Sequence, residues 1–231
     1  MKMSLLEMHR KTRRSLEAWW GKCFLVPASS LIAWLLLRFL PRVHPNQITT
    51  VSLVLGAISG ALFLLENTIA AVLVYQLCMV LDWVDGKVAR LTGKTSSFGA
   101  FYDGLVNHLV YIFNVIGLGF GLGFFWQSMV LVVALLGLRG INNYLNDFLE
   151  REIEGSWSHF VADEKSWLSR NGLLPPGSFP DKHAIMFLAC PIAAYITDEP
   201  IYSLGGMALI VMMDMALLLL KGRKAARRLC P

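Results

Sequence analysis

TIAAVLVYQLCMVLDWVDGKVARLTGKTSSFGAFYDGLVNHLVYIFNVIGLGFGL, residues 68–122, holds two long apolar runs, about 68–88 and 98–122, joined by a short polar connection. Each run approaches the ~20 residues that a helix needs to cross the hydrocarbon core of a bilayer. Asp82, Asp85 and Asp103 fall at or near the ends of these runs, where an ionised carboxylate is costly. Two such runs with so short a connection read as a pair of neighbouring membrane helices.

The rest of the chain repeats the apolar pattern at about 47–65, 125–147 and 201–220, with a shorter run at 183–197. Of 231 residues, 55% are hydrophobic and only 16% charged, against roughly 25% charged in an average soluble domain. The sequence pI of about 9.1 does not point to nucleic acid. The basic residues cluster in HRKTRR (9–14) and KGRKAARR (221–228) and beside apolar segments, as topology-setting charges do. Cys23, Cys78, Cys190 and Cys230 show no paired spacing, so neither a disulfide framework nor a zinc site follows. The basic, amphipathic start lacks a cleavable apolar region and is not read as a signal peptide.

The stretch 24–40 is ambiguous, with Pro27 near its start and Arg38 near its end. Six spans beginning near Pro45 place both basic ends, Lys87, Arg90, Lys94 and the 149–182 loop on one side. The other side then receives Glu66, Asn67, Asp198 and Glu199, with no Lys or Arg. A seventh span over 24–40 would separate the two basic ends, so the positive-inside bias favours six. The expectation is an all-α integral, multi-pass membrane protein: six transmembrane helices preceded by N-terminal interfacial amphipathic helices. It reads as a single membrane domain, 1–231. Residues 1–43 form the interfacial region, 44–221 a six-helix bundle with a cytoplasmic loop at 149–182, and 222–231 a basic tail. Both termini and the acidic cluster are expected on the cytoplasmic side.

Asp82 and Asp85 are three apart and share a helix face; Asp103 and Asn107 are four apart and share a face of the next helix. Across a short connection these faces can meet. Unpaired, such carboxylates repel one another and resist desolvation. A hard divalent cation (Mg²⁺, Mn²⁺ or Ca²⁺) resolves the conflict, and Mg²⁺ sites combine few carboxylates with substrate phosphates. Gly86, Ala89 and Gly99 leave room beside the cluster, and Arg90 supplies a planar fork suited to phosphate. Together these features describe a diphosphate site. The plainer reading is that Asp82 and Asp85 are solvated acids at a membrane boundary, with Asp-Gly as a turn.

Asp82-x2-Asp85-Gly86-x2-Ala89-Arg90-x8-Gly99-x3-Asp103-x3-Asn107 resembles the signature of the CDP-alcohol phosphotransferase (phosphatidyltransferase) family, D-x2-D-G-x2-A-R-x8-G-x3-D-x3-D. Seven of the eight fixed positions match at the correct spacing. The preceding HPNQIT (44–49) looks like the family's approach to its first membrane helix. The resemblance implies a homodimeric six-helix enzyme of phospholipid or related polar-lipid biosynthesis. It would transfer a substituted phosphate from a CDP-linked donor to an alcohol acceptor and release CMP. It implies that Asp82, Asp85 and Asp103, with position 107 adjacent, bind one or two Mg²⁺ or Mn²⁺ ions. Gly86, Ala89, Arg90 and Gly99 would shape the nucleotide pocket, with Asn46 and Thr49 within reach of it. The donor is either CDP-diacylglycerol or a soluble CDP-alcohol. The wording of DGKVAR and TSSFGAFYD leans toward the choline/ethanolamine branch without deciding it.

The family's fourth aspartate is implied to be the general base, and here it is Asn107. An amide oxygen still ligates a cation, but it takes up no proton at neutral pH. Three readings stand open: an engineered Asp→Asn change, a natural variant using another base such as His108, or a non-catalytic nucleotide- or lipid-binding homologue. Against His108, adjacent helical residues point about 100° apart. A cation transporter would also explain acids at helix ends, but not Gly86, Ala89, Arg90 and Gly99 at signature spacing.

Arg139 and Asp214 fall at similar depths in two spans and are expected to pair, since ions within a membrane find partners. In a second version Arg139 faces a substrate phosphate, with Asn143 on the same polar helix end. Gly117, Gly119, Gly121 and Gly123 offer GxxxG spacings for close helix packing. Asn46 and Thr49 are also candidates to cap the helix they begin.

Overall fold

A computed structural model describes residues 5–12, 17–122, 125–153 and 180–229; most of the expected 149–182 loop lies outside these residues. The described residues form eight helices. These are α1 (Leu5–Thr12), α2 (Gly21–Phe39), α3 (Pro45–Leu64), α4 (Thr68–Thr92), α5 (Ser97–Gly121), α6 (Phe125–Ile153), α7 (181–197) and α8 (Ile201–Leu229). The chain divides into two compact units, one built on α1–α5 and one on α6–α8.

Local chemistry explains where the helices start and stop. Pro45 opens α3, where a missing N–H costs nothing. His44 caps it, its Nδ1 accepting from the Asn46 amide at 3.3 Å while its own amide donates to Gln47 Oε1 at 3.0 Å. Capping therefore falls to His44 and Gln47, and Asn46 and Thr49 are left for other contacts. Gly93 closes α4 in the left-handed region at φ 67°, and the Lys94 amide donates back to Ala89 O at 3.0 Å. Only glycine enters that conformation without strain. The turn to α5 is thus short, and the acidic end of α4 meets the start of α5.

In the first unit α3 packs against both α4 and α5. A Cβ on Gly117 would collide with Gly60 O, one on Gly121 with Phe63 O, and one on Gly60 would stand 2.6 Å from Phe113 O. The GxxxG spacing of α5 is therefore a backbone-to-backbone crossing. Buried Asn114 fastens it: Nδ2 donates to Gly56 O (3.0 Å) and Val110 O (2.8 Å), and Oδ1 accepts from Ser59 Oγ (2.7 Å). Ser59 Oγ also lies 2.9 Å from Ala71 O, sharing its one hydrogen between the two acceptors, which brings in α4. In an apolar core every such group needs a partner, and these groups find theirs on neighbouring helices.

α1 is amphipathic as expected, with Met8 and Thr12 buried and Glu7, Arg10 and Lys11 exposed. α2 begins with a π-helical turn, Gly21–Leu25. It buries Val26, Ser29, Ser30, Ala33 and Leu37 and exposes Phe24, Leu31, Leu35 and Phe39. The buried Lys87 Nζ of α4 donates to Val26 O (2.8 Å) and Ser30 Oγ (2.7 Å) of α2.

Six helices are long and apolar enough to cross a membrane: Gly21–Phe39, Pro45–Leu64, Thr68–Thr92, Ser97–Gly121, Trp126–Leu145 and Ile201–Leu220. The count matches the expectation, but one member differs. α2 qualifies by length and composition, whereas α7, at 17 residues from Asp181 to Thr197, reaches about 25 Å, short of the ~30 Å hydrocarbon core. α6 and α8 run to Ile153 and Leu229, past the span ends read from hydropathy. Lys, Arg and Ala are strong helix formers, so the basic tail continues α8.

In the second unit α8 packs on α6 and α7 around Val132, Leu135, Leu138, Met186, Phe187, Met207 and Ile210, all buried.

Gly117→Ala should cost about 1–3 kcal/mol by overpacking, read as a lower Tm in detergent. Gly104→Ala is the control, since its added methyl meets nothing within 4 Å; it should be neutral or slightly stabilising.

Candidate active site

The end of the first unit where α4 and α5 are joined carries the signature residues. On α4, positions 82, 85, 86 and 89 recur at three and four residues and face one way; on α5, positions 99, 103 and 107 do the same. Asp82 lies within electrostatic reach of both Asp85 and Asp103. Asp85 is buried, while Asp82, Asp103 and Asn107 are half-buried.

A cavity of about 190 Å³ opens beside them, lined by residues of α3, α4, α5 and the 93–96 turn. Of the residues expected at the nucleotide, Asn46, Thr49, Asp85, Gly86, Ala89, Arg90 and Gly99 line it, and so does Asp103. Asp82 and Asn107 stand outside that lining. Thr49 Oγ1 donates to Asp85 Oδ2 at 2.5 Å, so α3 contributes the first hydrogen-bond donor to the cluster. The Arg90 guanidinium folds back over Gly86, where an added Cβ would meet its Nη1 at 3.3 Å. At Gly99 a Cβ would meet Ser96 Oγ at 3.1 Å and Asn46 Oδ1 at 3.5 Å. Both glycines keep the cavity floor open.

Asn107 Nδ2 donates to Asp103 Oδ1 at 3.0 Å, one turn back on the same helix. His108, next in sequence, is half-buried.

Five cavity residues were not singled out from sequence: Pro45, Lys94, Thr95, Ser96 and Ala100. For Lys94, Thr95 and Ser96 the signal was present in TGKTSS (92–97). Gly93 ends one helix, and Ser96 Oγ accepts from the Gly99 amide at 3.0 Å to begin the next, so what lies between must face the joint. Lys94 Nζ donates to Val43 O at 3.3 Å and adds a cation to the rim.

The donor chemistry fits a hard divalent cation, because the converging groups are carboxylate and amide oxygens. Their rotamers do not yet form a cage. Among the described residues no three His, Cys, Asp or Glu side chains are gathered at ligating distance. Asp85 is turned onto Thr49 and Asp103 onto Asn107, neutral donors that an ion would share or replace.

The expected Arg139–Asp214 pair does not form. Asp214 pairs with Lys182, Nζ to Oδ1 at 2.9 Å, and Arg139 Nη1 lies 3.4 Å from His183 Nε2. Consecutive residues at the start of α7 thus take the two charged groups of α8 and α6, a pairing that sequence depth alone does not reveal. Asn143 is exposed on α6.

Removing one partner of a buried ion pair strands the other charge. Lys182→Met should cost about 3–5 kcal/mol of unfolding free energy. Lys182→Met combined with Asp214→Leu should recover most of that loss in the same denaturation measurement.

Comparison with known proteins agrees with this geometry. Residues 42–220 match the family model for CDP-alcohol phosphatidyltransferase. A bifunctional IPC transferase and DIPP synthase of Thermococcus kodakarensis is 39% identical over 69 residues, which is 30% of this chain and 16% of that protein. An archaetidylinositol phosphate synthase of Pyrococcus horikoshii is 36% identical over 67 residues, 29% of this chain and 36% of that one. The matched stretches therefore span only about a sixth and about a third of these relatives. Among solved structures, phosphatidylinositol phosphate synthase of Mycobacterium tuberculosis with CDP-DAG bound superposes with a TM-score of 0.63 at 18% identity. The superposition covers 86% of this chain and 93% of that one. The same protein with manganese and citrate gives 0.62, covering 85% and 88%. These likenesses establish a shared fold.

Proposed function

The chain belongs to the CDP-alcohol phosphatidyltransferase family, and on that premise we propose that it binds a CDP-linked donor at the α3–α4–α5 end. There it transfers the donor's substituted phosphate to an alcohol acceptor, releasing CMP, in polar-lipid biosynthesis. The observation that carries this reading is the cavity in which Asp85, Asp103, Arg90, Gly86 and Gly99 meet at signature spacing.

Asp82, Asp85 and Asp103, with Asn107 Oδ1, are the groups that would hold Mg²⁺ or Mn²⁺. When bound, the cation offsets the negative charge of the diphosphate and of the departing CMP. Arg90 presents a fork to a phosphate oxygen, and Lys94 adds positive charge at the rim. Gly86 and Gly99 let the diphosphate approach the backbone. Thr49 keeps the Asp85 carboxylate oriented toward the joint. The acceptor oxygen attacks the phosphorus that bears the non-nucleotide group. The bond from that phosphorus to the CMP oxygen breaks, and the hydroxyl proton must leave.

Position 107 is where the proton would go, and an amide does not accept it. The geometry favours a chain that binds donor and turns over slowly. Position 107 lies beside Asp103 and Asp82, so a carboxylate restored there would stand beside the reacting groups. A structural neighbour crystallised with CDP-DAG and relatives named archaetidylinositol phosphate synthase support a lipid-linked CDP donor and an inositol phosphate acceptor, rather than the choline/ethanolamine branch. Within the second unit, Arg139 keeps the proposed role of contacting an acceptor phosphate, now with His183 beside it. The homodimer belongs to the same proposal, as does the cytoplasmic placement of site and termini, which requires α2 to lie along the interface and the 17-residue α7 to complete the six spans.

The test is CMP release from CDP-diacylglycerol with inositol phosphate, Mn²⁺ supplied or chelated. Asn107→Asp should accelerate release by about 10²–10⁴-fold, the usual contribution of a positioned base. Asp85→Ala in that background and chelation should each abolish it. Unchanged activity in Asn107→Asp with an already active parent would assign the base elsewhere. Donor binding with no release in either chain would establish the second reading, a binding homologue, which Asn107 alone favours.

A further inference from the structure

We propose that Tyr102 is a positioning residue for the CDP-linked donor, holding the first turns of α3 against α5 through Thr50. The inference rests on the reading of the α3–α4–α5 cavity as the donor site. Its basis is a chain of hydrogen bonds at the cavity end of the two helices. Thr50 Oγ1 donates its one hydrogen to Asn46 O at 2.8 Å. Its oxygen is therefore the acceptor for the Tyr102 hydroxyl, 2.9 Å away. The bonds thus run from Tyr102 on α5 through Thr50 to the carbonyl of Asn46, a residue of the cavity wall. Tyr102 is aimed by its own helix: its ring stacks on that of Phe98 one turn back, with centroids 6.1 Å apart and planes 4° from parallel.

Consecutive helical residues point about 100° apart, and Thr49 and Thr50 use that difference. Thr49 turns to Asp85 on α4, and Thr50 turns to Tyr102 on α5. The start of α3 is therefore fastened to both helices that carry the acids. Between them lies the cavity, with Asn46 and Thr49 on its α3 wall and Gly99 and Asp103 on its α5 wall. Asn46 Oδ1 stands 3.5 Å from where a Cβ on Gly99 would be, so a small shift of α3 from α5 changes the width of the opening. Tyr102 stands outside the cavity lining, and its effect reaches the donor through Thr50 and Asn46. The plainer role for a tyrosine near a helix end in a membrane protein is to anchor at the interface. That role does not need Thr50.

The experiment uses the full chain in detergent with Mn²⁺. CDP-diacylglycerol binding is measured by titration calorimetry, and CMP release in the Asn107→Asp background with saturating inositol phosphate. Tyr102→Phe and Thr50→Val should each weaken binding and raise KM for CDP-diacylglycerol about 3–10-fold, the worth of one neutral hydrogen bond. Their kcat should stay within about twofold, as for a lost ground-state contact. Combined, they should lose no more than either alone, since both break the same bond. Thr50→Ser, which keeps the hydroxyl, should recover the binding lost in Thr50→Val. Tyr144→Phe removes an exposed hydroxyl from α6 and, as the control, should change nothing. Parent-like binding and KM in Tyr102→Phe would overturn the inference. So would losses that add in the double variant, the behaviour of an anchor acting apart from Thr50. A lower Tm with KM unchanged would also overturn it, because a purely structural tie behaves that way. Should CDP-diacylglycerol neither bind the parent nor yield CMP in Asn107→Asp, the donor reading fails and the inference falls with it.

Discussion

Mutual repulsion among Asp82, Asp85 and Asp103 is the constraint around which the first unit is arranged, because all three stand where water is scarce. Two carboxylates 4 Å apart repel by about 4 kcal/mol at the effective dielectric of a protein surface, comparable to a large share of a domain's net stability. The neighbouring residues answer that cost one donor at a time. Thr49 reaches over from α3 to Asp85, and Asn107 donates to Asp103 one turn back on α5. Arg90 lies along the same rim over Gly86. The contact from α3 is available only if α3, α4 and α5 end at the same level, which the Gly93 turn and the Pro45 start provide.

That alignment is secured farther along the same helices. The Gly60–Gly117 and Phe63–Gly121 crossings allow α3 and α5 to touch by backbone, and Asn114 locks the crossing by using its donors and acceptor together. Lys87 adds a tie on a different face of α4 from the carboxylates. Residues two apart on a helix point about 200° from one another, so while Asp85 faces the cavity, Lys87 is directed at Val26 and Ser30 of α2. α4 is consequently held on both sides over a single turn. The catalytic spacing is set by packing made with small residues and buried amides, and the acids need not supply it.

Much of this was legible in the chain before any coordinates. Apolar runs marked seven of the eight helices, five of them to within a few residues and α6 and α8 short of their C-terminal ends, because burial of a backbone in lipid leaves a helix as the economical solution. The acid spacing was legible because three- and four-residue intervals project onto one helix face whatever else the fold does. What escaped reading depended on helix rotation and on loops. Arg139 and Asp214 have matching depths, yet depth says nothing about azimuth, and Lys182 and His183 intervene from α7. The basic tail looked like a solvated end, but its Lys, Arg and Ala composition carries α8 on to Leu229. Lys94 and Ser96 were overlooked because a turn between two helices was taken as a connection and not as a wall of the cavity.

Position 107 shows why site recognition and activity must be argued separately. Ligating a cation needs a lone pair on oxygen, which asparagine and aspartate both have. Accepting a proton needs a basic oxygen, which only the carboxylate has. Donating to neighbouring carboxylates needs N–H, which only the amide has. A single substitution therefore leaves the first property in place, removes the second and adds the third. Signature matching registers one mismatch in eight positions. The chemistry registers three separate consequences, and the hydrogen bond from Asn107 Nδ2 to Asp103 Oδ1 makes the third as concrete as the lost base.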